Sequence, residues 1–130
     1  MSKPIIAVTG ATGAQGSGLV RAILNDPDRQ FDVRALTRSI TSEKARALSA
    51  LGAEVVQADL DDQESLERAF KGAYGAFCVT FFWEHFCPRR EVDQARKLAA
   101  AVKAAGVSHA VWSTLEDTRR WVPLKDSRMP

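Results

Sequence analysis

Short apolar runs alternate with segments of helical hydrophobic spacing along most of this chain. The first run, residues 4–8, is continuously apolar, which is typical of a strand that is covered on both faces of a sheet. Later runs rich in β-branched and aromatic residues predict further strands over 31–36, around 55–56 with an end at Asp59, over 74–80 and over 110–112. The pattern therefore predicts five strands, each separated from the next by a helical segment.

The four predicted helices carry recognisable start and stop signals. The first stops at residues 25–27, and the second and fourth stop at Gly52 and Gly106. Asp61 and Glu64 have the spacing of an N-cap and its partner three residues later, which predicts the start of the third helix. The apolar positions that define the helices are Leu19, Val20, Ile23 and Leu24, then Ala45, Leu48 and Leu51, then Leu66, Ala69 and Phe70, and finally Val92, Ala95, Ala99 and Val102.

This alternation of strands and helices indicates the fold class. Strands joined through helices pair in parallel by right-handed crossovers. We therefore expect an α/β fold, a doubly wound parallel sheet with strand order 3-2-1-4-5, in a single domain. Residues 1–116 are predicted to form this domain, and residues 117–130 an irregular tail.

Composition and charge exclude several classes of function. Of the 130 residues, 45% are hydrophobic and 26% are charged, which is typical of a globular domain. A net charge of +2 gives no reason to expect nucleic acid or a membrane as partner. Two cysteines cannot form a disulfide framework, and no export signal is recognised, so we expect a cytoplasmic location.

A glycine-rich turn stands between the first strand and the first helix. Gly10, Gly13 and Gly16 have G-x-x-G-x-x-G spacing, and small residues there let backbone N–H groups approach a pyrophosphate. The same glycines also suit a tight turn that binds nothing, but the flanking strand and helix favour a dinucleotide. A P-loop is excluded, because no Gly-Lys-Ser/Thr follows the turn.

The end of the second strand bears on the choice of cofactor. NAD-binding proteins place an acidic residue there on the ribose 2′-OH, whereas this chain has Arg38. A guanidinium suits a 2′-phosphate, so the residue favours NADP(H) over NAD(H), although a solvated surface arginine is the alternative. Asp59 and Leu60 follow the third strand, where they either contact adenine or only begin the next turn.

These features together resemble the NmrA-like family, an atypical branch of the short-chain dehydrogenases/reductases. The resemblance rests on residues 9–16, Arg38, Asp59 and residues 79–84, and runs to about Glu116. It implies an NADP(H)-binding, Rossmann-like domain from which the substrate lobe is absent, with a truncation point in residues 117–130. It also implies that the cofactor is lined by Gly10, Ala11, Thr12, Gly13, Ala14, Gln15, Gly16, Arg38, Ser39, Ser42, Asp59, Leu60, Thr80, Phe81 and Phe82.

Two positions depart from the family pattern. Family members often carry a second basic residue four positions after the arginine, where this chain has Ser42, with Lys44 two residues on. Some also carry a lysine early in the fourth predicted helix, where this chain has Asp93. Both departures imply weaker cofactor binding than in the family.

The aromatic segment after the fourth strand contains Phe81, Phe82, Trp83 and Phe86. Ligands of open parallel sheets bind at this end of the strands, so these side chains either line the nicotinamide or substrate pocket or form a partner surface. Packing against a neighbouring helix or domain is the remaining alternative. Neighbouring Cys, Glu and His residues have no zinc spacing, so we expect no metal site.

The catalytic residues of the related reductases are incomplete in this chain. Those enzymes pair a tyrosine with a lysine four positions later, whereas Tyr74, the one tyrosine, is followed at that spacing by Cys78. Ser113, after the fifth strand, is either an assisting hydroxyl or an ordinary strand end. The sequence thus favours a cofactor-sensing regulator that acts through a protein partner. The alternative is part of an NADPH-dependent oxidoreductase for quinones or carbonyl compounds, whose catalytic residues lie outside this chain.

Overall fold

A computed structural model describes residues 2–121, which contain a five-stranded sheet with all pairings parallel. The strand order is β3-β2-β1-β4-β5, so the predicted fold class and order are confirmed. Two predicted strands are longer than the observed ones, since β3 stops before Asp59 and β4 covers only the middle of 74–80. The strands are β1 (Ile5–Val8), β2 (Asp32–Thr37), β3 (Glu54–Gln57), β4 (Gly75–Cys78) and β5 (His109–Trp112).

Five α-helices connect these strands within the described residues. The aromatic segment, expected to be a loop, contains the short helix α4, because four residues are too few to show a helical period. The expected irregular tail contains a 3-10 turn at Thr118–Arg120, and its residues 122–130 lie outside the described part. The helices are α1 (Ala14–Leu24), α2 (Glu43–Ala50), α3 (Gln63–Phe70), α4 (Phe82–His85) and α5 (Pro88–Ala104).

The sheet is buried on both faces by two apolar clusters. Ala7 and Val8 are adjacent in β1, point to opposite faces, and are both fully buried, which explains the continuous apolar run. Ala7 belongs to the cluster with α3 and α5, which includes Phe70 and Leu98. Val8 belongs to the cluster with α1 and α2, which includes Val20 and Leu48. No helix among residues 2–121 is long and apolar enough to span a membrane.

The apolar positions that predicted α5 coincide only in part with its packed face, since Val102 packs against the core. The residues that α5 buries are Gln94, Leu98 and Ala101, whereas Val92 and Ala99 are exposed. Alanines occur on several sides of this helix, so their spacing does not fix an inward face. Leu51 of α2 is also exposed, because the helix ends at Ala50 and Leu51 is its C-cap.

The third helix begins one residue later than the sequence predicts. Asp62, and not Asp61, is the N-cap of α3, and its carboxylate accepts from the N–H groups of Glu64 and Ser65. The Asp61 carboxylate instead accepts from Arg90 Nη2 at 2.6 Å on α5. The charged guanidinium is a stronger donor than a backbone N–H, so the Asp61 carboxylate pairs with Arg90 and does not cap the helix. This hydrogen bond links the start of α3 to α5.

Candidate functional site

The glycine turn between β1 and α1 is a tight backbone crossing. Gly10 has a φ of +57°, which favours glycine, and its carbonyl accepts from the Gly13 N–H at 2.9 Å. A Cβ on Gly16 would lie 2.1 Å from that same carbonyl oxygen. Only glycine at position 16 therefore lets α1 pack directly against the turn, as the spacing predicts.

The N-terminus of α1 lacks the capping side chain found on two neighbouring helices. Gly13 is its N-cap and has no side chain, and the first turn has no acidic residue. In contrast, Ser42 caps α2 by accepting from Ala45, and Asp62 caps α3. The N–H groups and the positive end of the α1 dipole therefore lack the side-chain oxygen that capping would supply, which suits an anion.

A cavity of about 440 Å³ lies beside this turn and reaches the ends of β2 and β3. Its lining also includes polar residues that the sequence did not assign to the cofactor, among them Lys44, Glu84 and Gln94. Lys44 lines the cavity together with Arg38 and supplies a second cation there. The predicted residues that line this cavity are Gly10, Thr12, Gly13, Arg38, Ser39, Ser42, Asp59, Leu60 and Phe81.

The guanidinium of Arg38 contacts an internal carboxylate. Its Nη2 donates to Oε1 of Glu84 on α4, and the Arg38 side chain is 61% exposed. The interaction joins residues 46 positions apart, so no local sequence signal could predict it. The arginine is therefore neither a free surface residue nor a fully open anion site in this conformation.

Asp59, an exposed residue that lines the same cavity, also has a structural role. Its Oδ1 accepts from the Asp61 N–H at 2.9 Å, and its own N–H donates to Ser65 Oγ at 2.9 Å. The turn that the sequence offered as one alternative is thus present, and Asp59 and Leu60 also line the cavity. Contact with adenine remains a prediction.

The neighbouring Asp61 holds a buried amide in place. Nε2 of Gln94 donates to the Asp61 carboxylate at 3.0 Å, while Gln94 Oε1 is buried without a partner among the described residues. The hydrogen bond from Arg90, helped by that from Gln94, holds the pKa of Asp61 below its ordinary value despite partial burial. Sequence reasoning did not identify Gln94 as a site residue. The one signal that could have done so is a polar residue on the inward face of a helix.

A second, more open cavity of about 920 Å³ also borders the glycine turn and lies at the carboxyl ends of β4 and β5. Ser113 Oγ donates to Gln15 Oε1 at 2.8 Å across it, and Thr80 Oγ1 donates to Glu91 Oε1 at 2.7 Å. Trp83 and Trp112 add aromatic surface to its wall. The predicted residues found here are Gly10, Gly13, Ala14, Gln15, Gly16, Thr80 and Phe81.

Two predicted cofactor residues stand outside both cavities. Ala11 is fully buried in the core with Val20, and its N–H donates to the Leu36 carbonyl at 3.2 Å. Phe82 packs edge-on against Trp83 and Phe86 of its own segment. Neither position offers a side chain to a ligand in this conformation.

The aromatic segment divides between the two expected roles. The Phe81 ring lies over the turn, since a Cβ on Gly10 would come within 2.2 Å of its Cζ. Trp83 and Phe86 are 78% and 67% exposed, although Trp83 also borders the second cavity. Phe81 is therefore a wall of both cavities, and the other two aromatics form an exposed surface.

The candidate catalytic and metal-binding groups are sparse in the described residues. Tyr74 lies outside both cavities and stacks on Phe31, and burial raises the pKa of the Cys78 thiol to about 11. Among residues 2–121 no cluster of His, Cys, Asp or Glu is placed to hold a metal ion. Ser113 is the hydroxyl that the fold brings into the second cavity from the expected strand end.

Comparison with known proteins places this fold and site among related sequences. Residues 2–126 match the family model described as the NmrA-like family. An NmrA-like family domain-containing oxidoreductase, malD of Malbranchea aurantiaca, is 41% identical over 116 residues, which are 86% of this chain and 34% of that protein. The oxidoreductase notA of Aspergillus sp. (strain MF297-2) is 42% identical over 120 residues, 87% of this chain and 34% of that protein. The chain thus spans about a third of the length of these relatives.

Solved structures of similar fold include enzymes and a regulator. Triphenylmethane reductase of Citrobacter sp., complexed with NADP(H), has a TM-score of 0.69 at 34% identity, over 86% of this chain and 36% of that one. The quinone oxidoreductase QOR2 of Escherichia coli, complexed with NADPH, has a TM-score of 0.71 at 32% identity, over 85% and 36%. NmrA, a negative transcriptional regulator, in complex with NADP, has a TM-score of 0.76 at 28% identity, over 95% and 37%. NmrA has also been solved in complex with NAD.

Proposed function

This chain belongs to the NmrA-like family, and we propose that it is the NADP(H)-binding domain of an NADPH-dependent oxidoreductase. The observation that carries the proposal is the joint placement of the glycine turn and Arg38 on one cavity. Similar structures hold NADP(H) or NADPH, and the curated relatives are described as oxidoreductases. The reaction of the whole protein is part of the proposal, because the chain spans about a third of those relatives.

The residues present fit a dinucleotide in three respects. Gly16 lets α1 pack directly against the turn, and the uncapped N-terminus of α1 would receive the pyrophosphate. Arg38 and Lys44 would receive the 2′-phosphate, with hydroxyls of Ser39 and Ser42 nearby. Asp59 would accept from the adenine amino group through the carboxylate oxygen that Asp61 does not use.

The preference for NADP(H) over NAD(H) follows from charge at the end of β2. A carboxylate at this position would repel a 2′-phosphate, whereas Arg38 offers a planar cation. The cavity that Arg38 lines also contains Lys44. We therefore expect the phosphorylated cofactor to bind more tightly, even though NmrA is found with both NAD and NADP.

The second cavity is where we place the reaction. Bound NADPH supplies a hydride from its nicotinamide ring. Phe81 and Trp83 would flank an aromatic or quinone-like acceptor and exclude water, and Ser113 would offer a hydroxyl to its oxygen. The described residues place no Tyr–Lys pair on this cavity, so the proton donor is expected outside them.

A second candidate function is a cofactor-sensing regulator that acts through a protein partner. The resemblance to NmrA and the exposed aromatic side chains of Trp83 and Phe86 favour it. Both candidates require the same cofactor site, and we expect a cytoplasmic protein in either case. They differ in whether bound NADPH is consumed.

Two measurements test these proposals in order. Thermal unfolding of the chain is followed with NADPH, NADH and no ligand, and saturating NADPH is expected to give the larger rise in midpoint. No protection by either cofactor would contradict the cofactor site.

The protein that carries this chain is then tested for NADPH oxidation with quinones and aromatic carbonyl compounds. Steady turnover supports the oxidoreductase, whereas NADPH-dependent partner binding without turnover supports the regulator.

A further inference from the structure

The segment Phe81–Glu84 spans the whole width of the proposed cofactor site. At one end the Phe81 ring lies over Gly10 and approaches Gly13, which are both glycines of the turn between β1 and α1. At the other end Glu84 Oε1 accepts from Arg38 Nη2. Glu84 also borders both cavities, so its carboxylate stands between the proposed phosphate end and the proposed reaction end.

The Glu84 carboxylate occupies the same donor that a 2′-phosphate needs. Arg38 Nη2 is engaged, and both oxyanions would seek the same guanidinium face, so they cannot share it without like-charge repulsion. A ribose 2′-OH carries no charge, so it does not compete with the Glu84 carboxylate for the guanidinium of Arg38. The conflict therefore arises with the phosphorylated dinucleotide and not with its dephospho counterpart.

The helix that carries Glu84 is attached weakly enough to move. α4 has only four residues, none of them buried, and Phe86 at its end adopts the left-handed φ of 51°, which is uncommon for a bulky side chain. Arg38 and Glu84 are 61% and 49% exposed, so solvent screens their attraction. A phosphate can displace the carboxylate at modest cost.

We propose that Glu84 is a specificity-determining residue that competes with the 2′-phosphate for Arg38, so that NADP(H), but not NAD(H), displaces it and moves α4. The proposal rests on the cofactor site of the proposed function. It assigns to Glu84 a negative effect on NADPH affinity and no direct role toward NADH. It also means that Trp83, one residue earlier, changes its surroundings more when the phosphorylated cofactor binds than when the dephospho cofactor binds.

The affinity test compares Glu84→Gln with wild type by calorimetric titration of the 130-residue chain with NADPH and with NADH. The variant is expected to bind NADPH about three- to tenfold more tightly, because an exposed competing ion pair is lost. NADH affinity is expected to change less than about twofold. Glu64→Gln is the matched control, since Glu64 also pairs with an arginine, lines neither cavity and is 86% exposed. It should alter neither affinity.

Four results would overturn the proposal. Weaker NADH binding by Glu84→Gln would make Glu84 a ribose acceptor, and an equal change for both cofactors would make it a general electrostatic effect. Equal Trp83 emission changes with saturating NADP⁺ and NAD⁺, assigned by subtracting a Trp83→Phe variant, would show that α4 does not respond to the phosphate. Failure of wild type to bind either cofactor would remove the proposed function as well, so the two failures are distinguishable.

Discussion

The hydroxyl of Thr9 accepts a hydrogen bond from the backbone N–H of Val79, 70 residues away, at 3.0 Å. The same Oγ1 donates to the Phe77 carbonyl at 3.0 Å, and Thr9 is 1% exposed. One side chain thus joins the end of β1 to the end of β4 at the point where both enter the proposed site. Its position in a glycine-rich motif gave no sign of this role.

Replacement of Thr9 by the isosteric Val is expected to lower the free energy of unfolding by about 1–3 kcal/mol, because the buried Val79 N–H loses its acceptor. The Phe77 carbonyl keeps the Thr9 backbone N–H as a donor. Urea denaturation measures the change. Thr114→Val serves as the control, since Thr114 is exposed and makes only a 3.4 Å contact with the neighbouring carbonyl. It should shift stability by less than about 0.5 kcal/mol. Equal losses in the two variants would contradict the bridging role of Thr9.

Two glycines of α1 are expected to respond to alanine in opposite directions. A Cβ at Gly16 meets the Gly10 carbonyl oxygen at 2.1 Å, a backbone atom that cannot yield cheaply, whereas a Cβ at Gly18 meets nothing within 4 Å. Gly16→Ala should lose about 2 kcal/mol or more through a forced shift of α1. Gly18→Ala should gain about 0.5–1 kcal/mol from helix propensity. Thermal and urea unfolding give both values, and a stable Gly16→Ala variant would show that the crossing is looser than described.

Arg38→Asp is expected to weaken the binding of NADPH much more than the binding of NADH. Loss of a charge-assisted contact and addition of a carboxylate should weaken NADPH binding about tenfold to a hundredfold. NADH binding should change by less than about threefold, since its ribose hydroxyl tolerates an acidic neighbour. Fluorescence titration with each cofactor measures this.

The matched control for that titration is Arg46→Asp, which makes the same charge change at an exposed position of α2 outside both cavities. It should leave both affinities within about twofold of wild type. Equal losses of NADPH and NADH affinity in Arg38→Asp would contradict the assignment of Arg38 to the 2′-phosphate.

Asp61 is expected to stabilise the fold in a pH-dependent way. Its pKa is held below the ordinary value of 3.8, mainly by the hydrogen bond from Arg90, so the folded state favours the charged form. Its contribution is complete above that ordinary value and is lost as pH falls below it. Asp61→Asn should therefore cost up to about 1 kcal/mol near neutral pH, limited by solvent screening, and almost nothing near pH 2.

Urea denaturation of Asp61→Asn and wild type across this pH range tests the sign. Asp62→Asn is the neighbouring control, because asparagine caps a helix about as well as aspartate and the α3 cap is retained. Its effect should stay within about 0.5 kcal/mol. A cost for Asp61→Asn that does not vary with pH would show that the charge of Asp61 is not what matters.

Local patterns predicted the parts of the molecule that local physics determines. The alternation of strands and helices predicted the parallel sheet and its strand order, and the spacing of glycines predicted the crossing at Gly16. Contacts between segments that are distant in the sequence could not be predicted from local patterns. The start of α3 was predicted at Asp61 because capping spacing cannot register Arg90, which lies on another helix.

The same limit applies to the site. Arg38 could be assigned from its place after β2, but its pairing with Glu84 depends on how α4 folds over the turn. The buried face of α5 was not predicted, because alanines on several sides carry little directional information. Gln94, Lys44 and Glu84 came into the first cavity only through tertiary packing.

The hydrogen bond between Gln15 and Ser113 sets the order in which the site can be completed. The glycine turn is synthesised before its partner at the end of β5, which is 98 residues later. During synthesis the turn therefore remains exposed to water while the middle strands assemble around it. A nascent chain gains a complete second cavity only once its final described strand has docked on β4.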